Sequence, residues 1–262
     1  MFYEFRHPIE PDYFTVSKGE NLTFPAHLHH CFELIIVTSG EMSVTVGGKE
    51  YELKPGMAVM IFPNQIHSIG TKTRSEHIIA IFSPTLVSFY SSRTSGKLPD
   101  DPVFTPDEFY VRRLPLVSGG ILEMKGMLYS LCAEFDKGRT YVGSDGSSDS
   151  LLAKIFAFID KNYDSDCSLE VLSKNVGYGY TYLSSFFRKT VGVPYHDYIT
   201  DLRISKARYL LENSDKGVLQ IANECGFGSL RSLNRNFREK LGVTPTEYRL
   251  EAGCDPALIR QG

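Results

Sequence analysis

Four side chains in the N-terminal part of the chain have the residue types and the spacing of a binding site. His27, His29 and Glu33 lie two and four residues apart, and His67 follows a later apolar segment. Alternate residues of an extended strand point to the same face, so we expect the first three to project together towards His67. Imidazole and carboxylate groups at this spacing can bind a transition-metal ion or hydrogen-bond an organic ligand.

Three interpretations of this set are open. We favour an organic small-molecule effector held by polar groups in the mouth of a barrel, and the alternatives are a metal ion or histidines satisfied by local hydrogen bonds. The favoured interpretation predicts no cofactor and no metal, and the metal alternative uses the same residues. The effector-binding set is therefore His27, His29, Glu33 and His67, whereas the single histidines His7, His30, His77 and His196 are interpreted as structural or surface residues.

Short β segments are predicted to position these residues. Residues 41–46 alternate apolar and polar side chains, and Gly47-Gly48 supplies the positive φ angles of a tight hairpin into residues 49–53. Further apolar runs at 32–37, 57–62 and 77–82 are separated by turn residues. Many short strands with no long helix between them predict a small barrel or sandwich.

The apolar period changes after Gly120, where steps of three and four predict a helix. Its apolar seam either packs against the barrel or pairs two chains, and two heptads do not decide between these alternatives. We take the seam as the dimerisation set of a homodimer: Ile121, Met124, Leu128, Leu131 and Phe135.

The C-terminal part contains an internal repeat. Leu183, Phe187 and Tyr198 recur fifty residues later as Leu233, Phe237 and Tyr248. Each copy has a short helix, a turn containing glycine and a longer helix, which is the helix-turn-helix pattern. A solenoid needs three or more repeats, so two copies disfavour that alternative. The predicted helices are Leu169–Asn175 and Tyr180–Thr190 in the first copy, Val218–Cys225 and Ser229–Leu241 in the second, and a connecting helix over Tyr195–Leu211.

The longer helix of the second copy predicts a surface that reads DNA. Its apolar positions predict a buried face formed by Leu230, Leu233, Phe237 and Leu241. Arg pairs bidentately with guanine and Asn with adenine in the major groove. The face of the second copy that could read bases therefore carries Arg231, Ser232, Asn234, Arg235 and Arg238. The first copy is expected to bury Leu183, Phe186 and Phe187 and to expose hydroxyl groups, tyrosines and one Arg, which discriminate between bases less strongly: Tyr180, Thr181, Tyr182, Ser184, Ser185 and Arg188.

Composition limits the class of protein. The net charge is −3, but residues 151–262 carry 15 basic and 13 acidic side chains, so only the C-terminal part favours a polyanionic partner.

Five dispersed cysteines argue against a disulfide framework, and the chain has neither a signal peptide pattern nor an apolar run of ~20 residues. We expect a cytoplasmic protein without membrane contact. The sequence has no Gly-rich phosphate loop, G-x-S-x-G motif or Cys/His nucleophile pattern, so we expect no enzymatic activity.

The stretch from about Leu151 to Leu250 resembles the paired helix-turn-helix domain of the AraC/XylS-type bacterial transcription regulators. The matching motifs are Arg203-Ile204-x-x-Ala207-x-x-Leu210-Leu211, Ile221-Ala222-x-x-Cys225-Gly226-Phe227, Phe237-Arg238-x-x-Leu241-Gly242 and Pro245-x-x-Tyr248-Arg249. Ser173 stands where family members often have Ala, and Leu233 where they often have an aromatic residue. Both differences are small changes in buried packing. The resemblance implies base contacts by Thr181, Ser184 and Ser185 in the first copy and by Arg231, Ser232 and Arg235 in the second.

The N-terminal part resembles the cupin-type sensor barrel of such regulators. The matching motifs are Pro25-x-His27-x-His29-x-x-x-Glu33-Leu34, Gly40 and Pro63-x-x-x-His67. The last spacing is one residue shorter than in enzymatic cupins and lacks their intervening glycine. The resemblance nevertheless leaves a metal-dependent cupin enzyme or metal sensor, fused to a DNA-binding domain, as the alternative function.

The resemblance implies an α+β protein with a cupin-like barrel, helices, and an all-α domain of two helix-turn-helix motifs joined by a long helix. The expected boundaries are a barrel at 1–105, a helical dimerisation segment at 106–142, a linker at 143–150 and a DNA-binding domain at 151–262. It also implies a transcription activator controlled by a small effector, often a carbohydrate. The partners would be promoter DNA, the effector, a second copy of the chain and RNA polymerase.

Overall fold

The structure is a computed structural model that describes residues 2–3, 12–117, 120–143 and 148–251. It divides into two compact units, one formed by Met1–Lys154 and Thr190–Gly192 and the other by Ile155–Lys189 and Val193–Gly262. The first unit is rich in strands and the second is helical, so the predicted α+β class with strands preceding helices is confirmed. Half of the predicted linker, residues 144–147, and His7 and Cys254 lie outside the described residues.

The first unit contains two five-stranded sheets and a two-stranded ribbon. In chain order the strands are β1 (Phe2–Tyr3), β2 (Phe14–Glu20), β3 (Phe24–Leu28), β4 (Phe32–Gly40), β5 (Met42–Val46), β6 (Lys49–Leu53), β7 (Ala58–Ile61), β8 (His67–Gly70), β9 (Ser75–Phe82), β10 (Lys97–Pro99), β11 (Val103–Phe104) and β12 (Tyr141–Gly143). One sheet has the order β1-β3-β8-β5-β6, the other has the order β11-β7-β4-β9-β2, and β10 pairs with β12. Antiparallel pairing dominates, as the short, evenly spaced strands predict.

Two glycine-dependent turns shape the barrel. Gly47 and Gly48 both have positive φ, 56° and 83°, and join β5 to β6 as the predicted hairpin. Gly40 ends β4 with φ of 70°, and a Cβ atom there would lie 2.1 Å from the Arg74 carbonyl oxygen. Only glycine can occupy a position that combines this conformation with so close an approach.

Alternation along the strands divides the apolar side chains between two cores. One face of each sheet contributes to the barrel interior, where aliphatic side chains such as Ile35, Val44 and Ile79 pack together. The opposite face of the β4–β9 sheet is covered by helices α1 (Ser88–Thr94) and α3 (Ile121–Asp136), with α2 (Glu108–Arg113) nearby in the chain. The barrel interior and the helix-covered face are therefore separate hydrophobic layers.

The predicted dimerisation seam lies on helix α3, and most of it is buried within the chain itself. Leu128, Leu131 and Phe135 are fully buried against the chain's own sheet, and the Phe135 ring lies 6.0 Å from that of Phe62. Burying such a side chain stabilises the fold by about 1.5–3 kcal/mol, so these three residues are not available to a second chain. Ile121 is exposed and Met124 is partly buried, so only the first turn of the seam could contact another subunit.

The second unit is helical and contains the paired motif. Its helices are α4 (Ser148–Asn162, which begins in the first unit), α5 (Leu169–Val176), α6 (Tyr180–Val191), α7 (Tyr195–Asn213), α8 (Val218–Glu224), α9 (Leu230–Leu241) and α10 (Pro245–Glu251). Ser168 and Ser229 cap α5 and α9 by accepting hydrogen bonds from backbone N–H groups three residues later. None of the described helices is long and apolar enough to span a membrane.

The long helix α7 forms the centre of two packed clusters. Around its N-terminal half, Tyr195 and Tyr198 contact Phe187 of α6 with ring centroids 5.2 and 5.5 Å apart. Around its C-terminal half, Ala207 and Leu211 pack with α8 and α9. The predicted connector is confirmed as a helix whose apolar positions are buried on both sides.

Three apolar assignments on the longer helices of the two copies are wrong. In α9, Leu233 and Phe237 are buried, but Leu230 and Leu241 at the helix ends are more than one-third exposed. In α6, Phe186 is only half-buried. Residues at helix termini project past the partner helix, so the apolar period overestimates the buried face there.

Candidate functional site

The four candidate residues of the barrel converge in the structure. β3 and β8 place His27 directly opposite His67, and their ring centroids are 4.0 Å apart. Glu33 is the second residue of β4, and His29 lies in the turn before it. All four residues are at most 3% exposed, and one potential ligand atom from each lies within 4.8 Å of the others.

The strands that carry these residues differ from the predicted ones. The strand breaks at 29–31, because β3 ends at Leu28 and β4 begins at Phe32 in the other sheet. His27 and Glu33 therefore come from opposite walls of the barrel rather than from one strand face. The expectation of a shared strand face was wrong, although the expected meeting with His67 occurs.

Backbone carbonyl groups orient all three imidazole rings. Nδ1 of His27, His29 and His67 lies 3.0, 3.2 and 2.8 Å from the carbonyl oxygens of Pro25, Cys31 and Gln65. A carbonyl oxygen only accepts hydrogen bonds, so each Nδ1 is the protonated nitrogen. Nε2 is then the nitrogen of each ring that can bind a metal ion, a division of roles that is common around protein metal sites.

The contacts with Glu33 require a positive charge. Nε2 of His29 and of His67 lie 2.8 and 3.2 Å from Glu33 Oε2. A neutral imidazole protonated at Nδ1 presents only a lone pair at Nε2, and a carboxylate oxygen also presents lone pairs. Protonation or a cation must therefore hold these atoms together, and two ligands of one metal ion are separated by about 3.0–3.4 Å. The His67–Glu33 distance of 3.2 Å lies within that range, whereas the His29–Glu33 distance of 2.8 Å is shorter and is that of a direct hydrogen bond from a protonated imidazole.

Burial and hydrogen bonding act in opposite directions on these groups. Burial alone would raise the pKa of Glu33, but the contacts with His29 and His67 outweigh it and hold that pKa below its ordinary value. Burial, together with the neighbouring His67, lowers the pKa of His27 to about 4. At neutral pH the site thus contains an ionised carboxylate and a neutral His27, the protonation states that metal binding requires.

The residues predicted to read DNA in the second copy lie on one outward face of α9. Arg231, Arg235 and Arg238 are exposed on α9, opposite the buried Leu233 and Phe237. The hydrogen bonds and ion pairs of the described residues leave the Arg231 and Arg235 side chains unengaged. Ser232 and Asn234 are partly buried at the edges of this face.

The residues predicted to read DNA in the first copy lie on the corresponding helix. Thr181, Ser185 and Arg188 are exposed on α6, and Ser184 is partly buried. Beside them lies a feature that the apolar pattern did not predict, because Phe186 was assigned to the core. Tyr182 instead stacks between Tyr178 and Phe186 on the outside of α6.

Comparison with known proteins agrees with this division of the chain. A helix-turn-helix domain model matches residues 172–251, and a cupin domain model matches residues 12–82. The chain is 34% identical over 111 residues to the HTH-type transcriptional activator AarP of Providencia stuartii, a match that covers 42% of this chain and 82% of AarP. It is 24% identical over 253 residues to the HTH-type transcriptional activator RhaS of Escherichia fergusonii, with 90% of each protein covered.

Two further proteins match this chain over different lengths. The Msm operon regulatory protein of Streptococcus mutans is 28% identical over 141 residues, and the match spans 52% of this chain and 50% of that protein. Among solved structures, ToxT from Vibrio cholerae is similar with 14% identity and a TM-score of 0.43, over 90% of this chain and 98% of ToxT.

A cupin barrel followed by a paired helix-turn-helix domain defines a class of DNA-binding transcription regulators. The chain belongs to the AraC/XylS-type family of these regulators. The family expectation drawn from the motifs in the two halves of the sequence is therefore confirmed.

Proposed function

We propose that the protein is a sequence-specific activator of transcription that reads promoter DNA through α6 and α9. The observation that carries this proposal is the outward face of α9, where Arg231 and Arg235 are exposed and without intramolecular partners among the described residues. Leaving two guanidinium groups unengaged on a well-packed helix suits bidentate contact with guanine. Activation is proposed because RhaS and AarP are named transcriptional activators.

The connector explains how one chain can use both helices. α7 has 19 residues and is about 28 Å long, which approaches the ~34 Å rise of one turn of DNA. Its two ends are packed into the two helix-turn-helix motifs, so their separation is held by a rigid element. Two adjacent major-groove segments on one side of the duplex would then be read together.

Selection of binding sites from a random DNA library tests this proposal. The full-length chain should select a defined sequence, and Arg235→Ala should weaken binding by ~1–3 kcal/mol at one base pair and relax the preference there. Lys174→Ala, which removes an exposed charge on α5, serves as a control that alters no base preference. Failure to select any sequence, or an unchanged Arg235→Ala preference at matched salt, would refute the proposal.

We further propose that the barrel binds a divalent transition-metal ion and that this ion is the regulatory signal or part of it. The support is the convergence of three imidazoles, each with Nδ1 held by a carbonyl, on one ionised carboxylate. Neutral imidazoles and a carboxylate suit Zn, Fe, Mn or Ni. His27, His29, Glu33 and His67 would hold the ion.

The barrel interior favours a metal ion over the carbohydrate effector expected from the family. A sugar presents several hydroxyl groups, and each one that is buried needs a polar partner. In the described part of the barrel, the buried members of the interior hydrophobic cluster are aliphatic side chains, Met42 and Cys31, and the partly buried Tyr13, Phe24 and Tyr51 pack against them. The buried polar or charged residues of the described strands and turns are the four of the histidine cluster together with Ser75, His77 and Ser83, and the four lie within reach of one small ion or a small ligand of that ion.

Native mass spectrometry with elemental analysis of the purified full-length protein tests this second proposal. We expect one metal ion per chain, lost in His29→Ala and retained in His196→Ala, whose side chain is 82% exposed and remote in sequence. A stoichiometric organic adduct without metal would favour the organic effector instead. Neither metal nor adduct after incubation with Zn, Fe, Mn or Ni salts would overturn metal binding.

A further inference from the structure

Three aromatic rings form a stacked row on the outside of α6, which we call the aromatic row: Tyr178, Tyr182 and Phe186. The rings of Tyr178 and Tyr182 have centroids 5.4 Å apart and an interplanar angle of 21°, and Tyr182 and Phe186 follow at 6.0 Å and 18°. Tyr178 and Tyr182 are 46% and 52% exposed. The row therefore offers a continuous apolar surface to a ligand of the second unit.

The helix-turn-helix fold does not itself require this row. In the second copy, Ser232 and Asn236 occupy the positions of Tyr182 and Phe186, fifty residues later. There the Asn236 side-chain amide donates a hydrogen bond of 2.8 Å to the Ser232 carbonyl oxygen, and α9 folds with the same buried pair of residues as α6. The first copy thus carries exposed aromatic surface at positions where the same fold is stable with polar residues.

The charges around the aromatic row indicate the chemistry of its partner. No Asp or Glu occurs between Glu170 and Asp197, a segment that includes the whole of α6. Arg188 and Lys189 are exposed at the C-terminal end of the same helix. An apolar surface on a helix that carries basic and no acidic residues suits a polyanionic partner. In the DNA major groove, the thymine C5-methyl group is an apolar group that such a surface can contact.

We propose that α6 reads thymine through contact of Tyr182 and Phe186 with C5-methyl groups, while α9 reads guanine through Arg231 and Arg235. This inference rests on the proposed DNA-binding function and specifies its target. The DNA site then consists of a thymine-containing element that the first copy contacts and a guanine-containing element that the second copy contacts. Tyr178, at the start of the row, extends the same surface towards the flanking sugar and phosphate groups.

Replacement of single thymines by deoxyuridine in the selected binding site tests the inference. Deoxyuridine keeps base pairing and removes only the methyl group, so the measured change reports that group. Burial of one methyl group is worth about 0.8 kcal/mol, so we expect binding of the full-length protein to weaken about fourfold at one or two thymines of the first element. Replacing guanine by 7-deazaguanine, which lacks N7, should weaken binding only in the second element.

Two variants connect the methyl effect to the aromatic row. Tyr182→Ser places in the first copy the residue that the second copy has at Ser232, and the side chain is half exposed, so we expect the fold to be retained. It should abolish the deoxyuridine effect in the first element. Phe109→Ser, which removes an exposed aromatic ring from α2 outside the helix-turn-helix motifs, is the matched control and should leave that effect unchanged.

The outcomes separate this inference from the function on which it depends. A chain that selects a site but tolerates deoxyuridine at every thymine, or a Tyr182→Ser variant that keeps the full methyl effect, would overturn thymine reading and leave DNA binding intact. Unchanged DNA binding with lost transcription in Tyr182→Ser would also overturn it and assign the aromatic row to a protein partner. If no sequence is selected at all, the proposed function fails together with this inference.

Discussion

Replacing Glu33 by glutamine distinguishes a metal-binding histidine cluster from an internal ion pair. A metal ion that binds only the folded state at a free concentration 100 times its Kd stabilises that state by about 2.7 kcal/mol. For a unit of this size, Met1–Lys154, each kcal/mol raises Tm by about 2–4 °C, so saturating metal should raise the Tm of the barrel by about 5–11 °C. Glu33→Gln removes the anionic ligand, so this rise should be lost.

The second part of the prediction concerns the Tm of the Glu33→Gln variant without metal. With Nδ1 of His29 and His67 held by carbonyl groups, a glutamine amide can donate a hydrogen bond to an Nε2 lone pair without any added proton. The metal-free Tm of Glu33→Gln should therefore equal or exceed that of the metal-free parent. An internal ion pair predicts the opposite, because removal of one partner of a buried pair costs about 3–5 kcal/mol.

The assay is calorimetry of full-length protein, first dialysed against a chelator and then supplied with Zn, Mn, Fe or Ni. His196→Ala is the control for loss of a histidine outside the cluster. Two results would refute the reasoning: a parent protein whose Tm no metal raises, or a Glu33→Gln variant that keeps the full rise. A variant with a strongly lowered metal-free Tm would support the ion pair.

Further predictions concern glycine and histidine positions. Gly177 and Gly226 occupy matching turns with φ of 76° and 75°, but only at Gly226 would a Cβ atom meet backbone, 2.8 Å from the Tyr163 carbonyl oxygen. Gly177→Ala should cost about 1–2 kcal/mol, and Gly226→Ala about 1–3 kcal/mol more, in urea unfolding; equal costs would contradict this. Burial lowers the pKa of His77 below its ordinary 6.5, and its Nδ1 has no hydrogen-bond partner among the described atoms. The unfolded chain therefore binds a proton there that the folded chain does not, so stability should fall as pH drops below about 6.5. His77→Leu should reduce this fall between pH 7.5 and 5.5, and an unchanged pH slope would disprove the assignment.

The helical half was predictable from sequence because its signals are local. The turns at Gly177 and Gly226 need positive φ, and the fifty-residue recurrence of Leu183 and Phe187 marks the same packed helix pair twice. Helix periods, caps and glycine turns each act over a few residues, so they can be read without knowledge of distant contacts. The boundary residues Leu230 and Leu241 were misassigned because their burial depends on where a partner helix ends.

The α3 seam shows the limit of a periodic pattern. The spacing of Leu128, Leu131 and Phe135 predicts that one face of the helix is buried. Either a sheet of the same chain or a second subunit can cover that face, so the spacing does not distinguish them. Only the position of the β4–β9 sheet, formed by residues far away in sequence, decides in favour of the chain's own core. Phe186 is a similar case, since its ring packs on Tyr182 rather than into the core.

By itself, the sequence determined which residues have binding chemistry and which local elements carry them: the histidines and Glu33 in a strand-rich half, and Arg231 and Arg235 on a repeated helical motif. Tertiary structure alone decided how those groups meet. His27 and His67 become neighbours through pairing of β3 with β8, Glu33 arrives from the opposite sheet, and backbone carbonyls direct the imidazole nitrogens. Contacts between residues distant in the chain depend on the closure of the whole barrel, which no short-range pattern encodes.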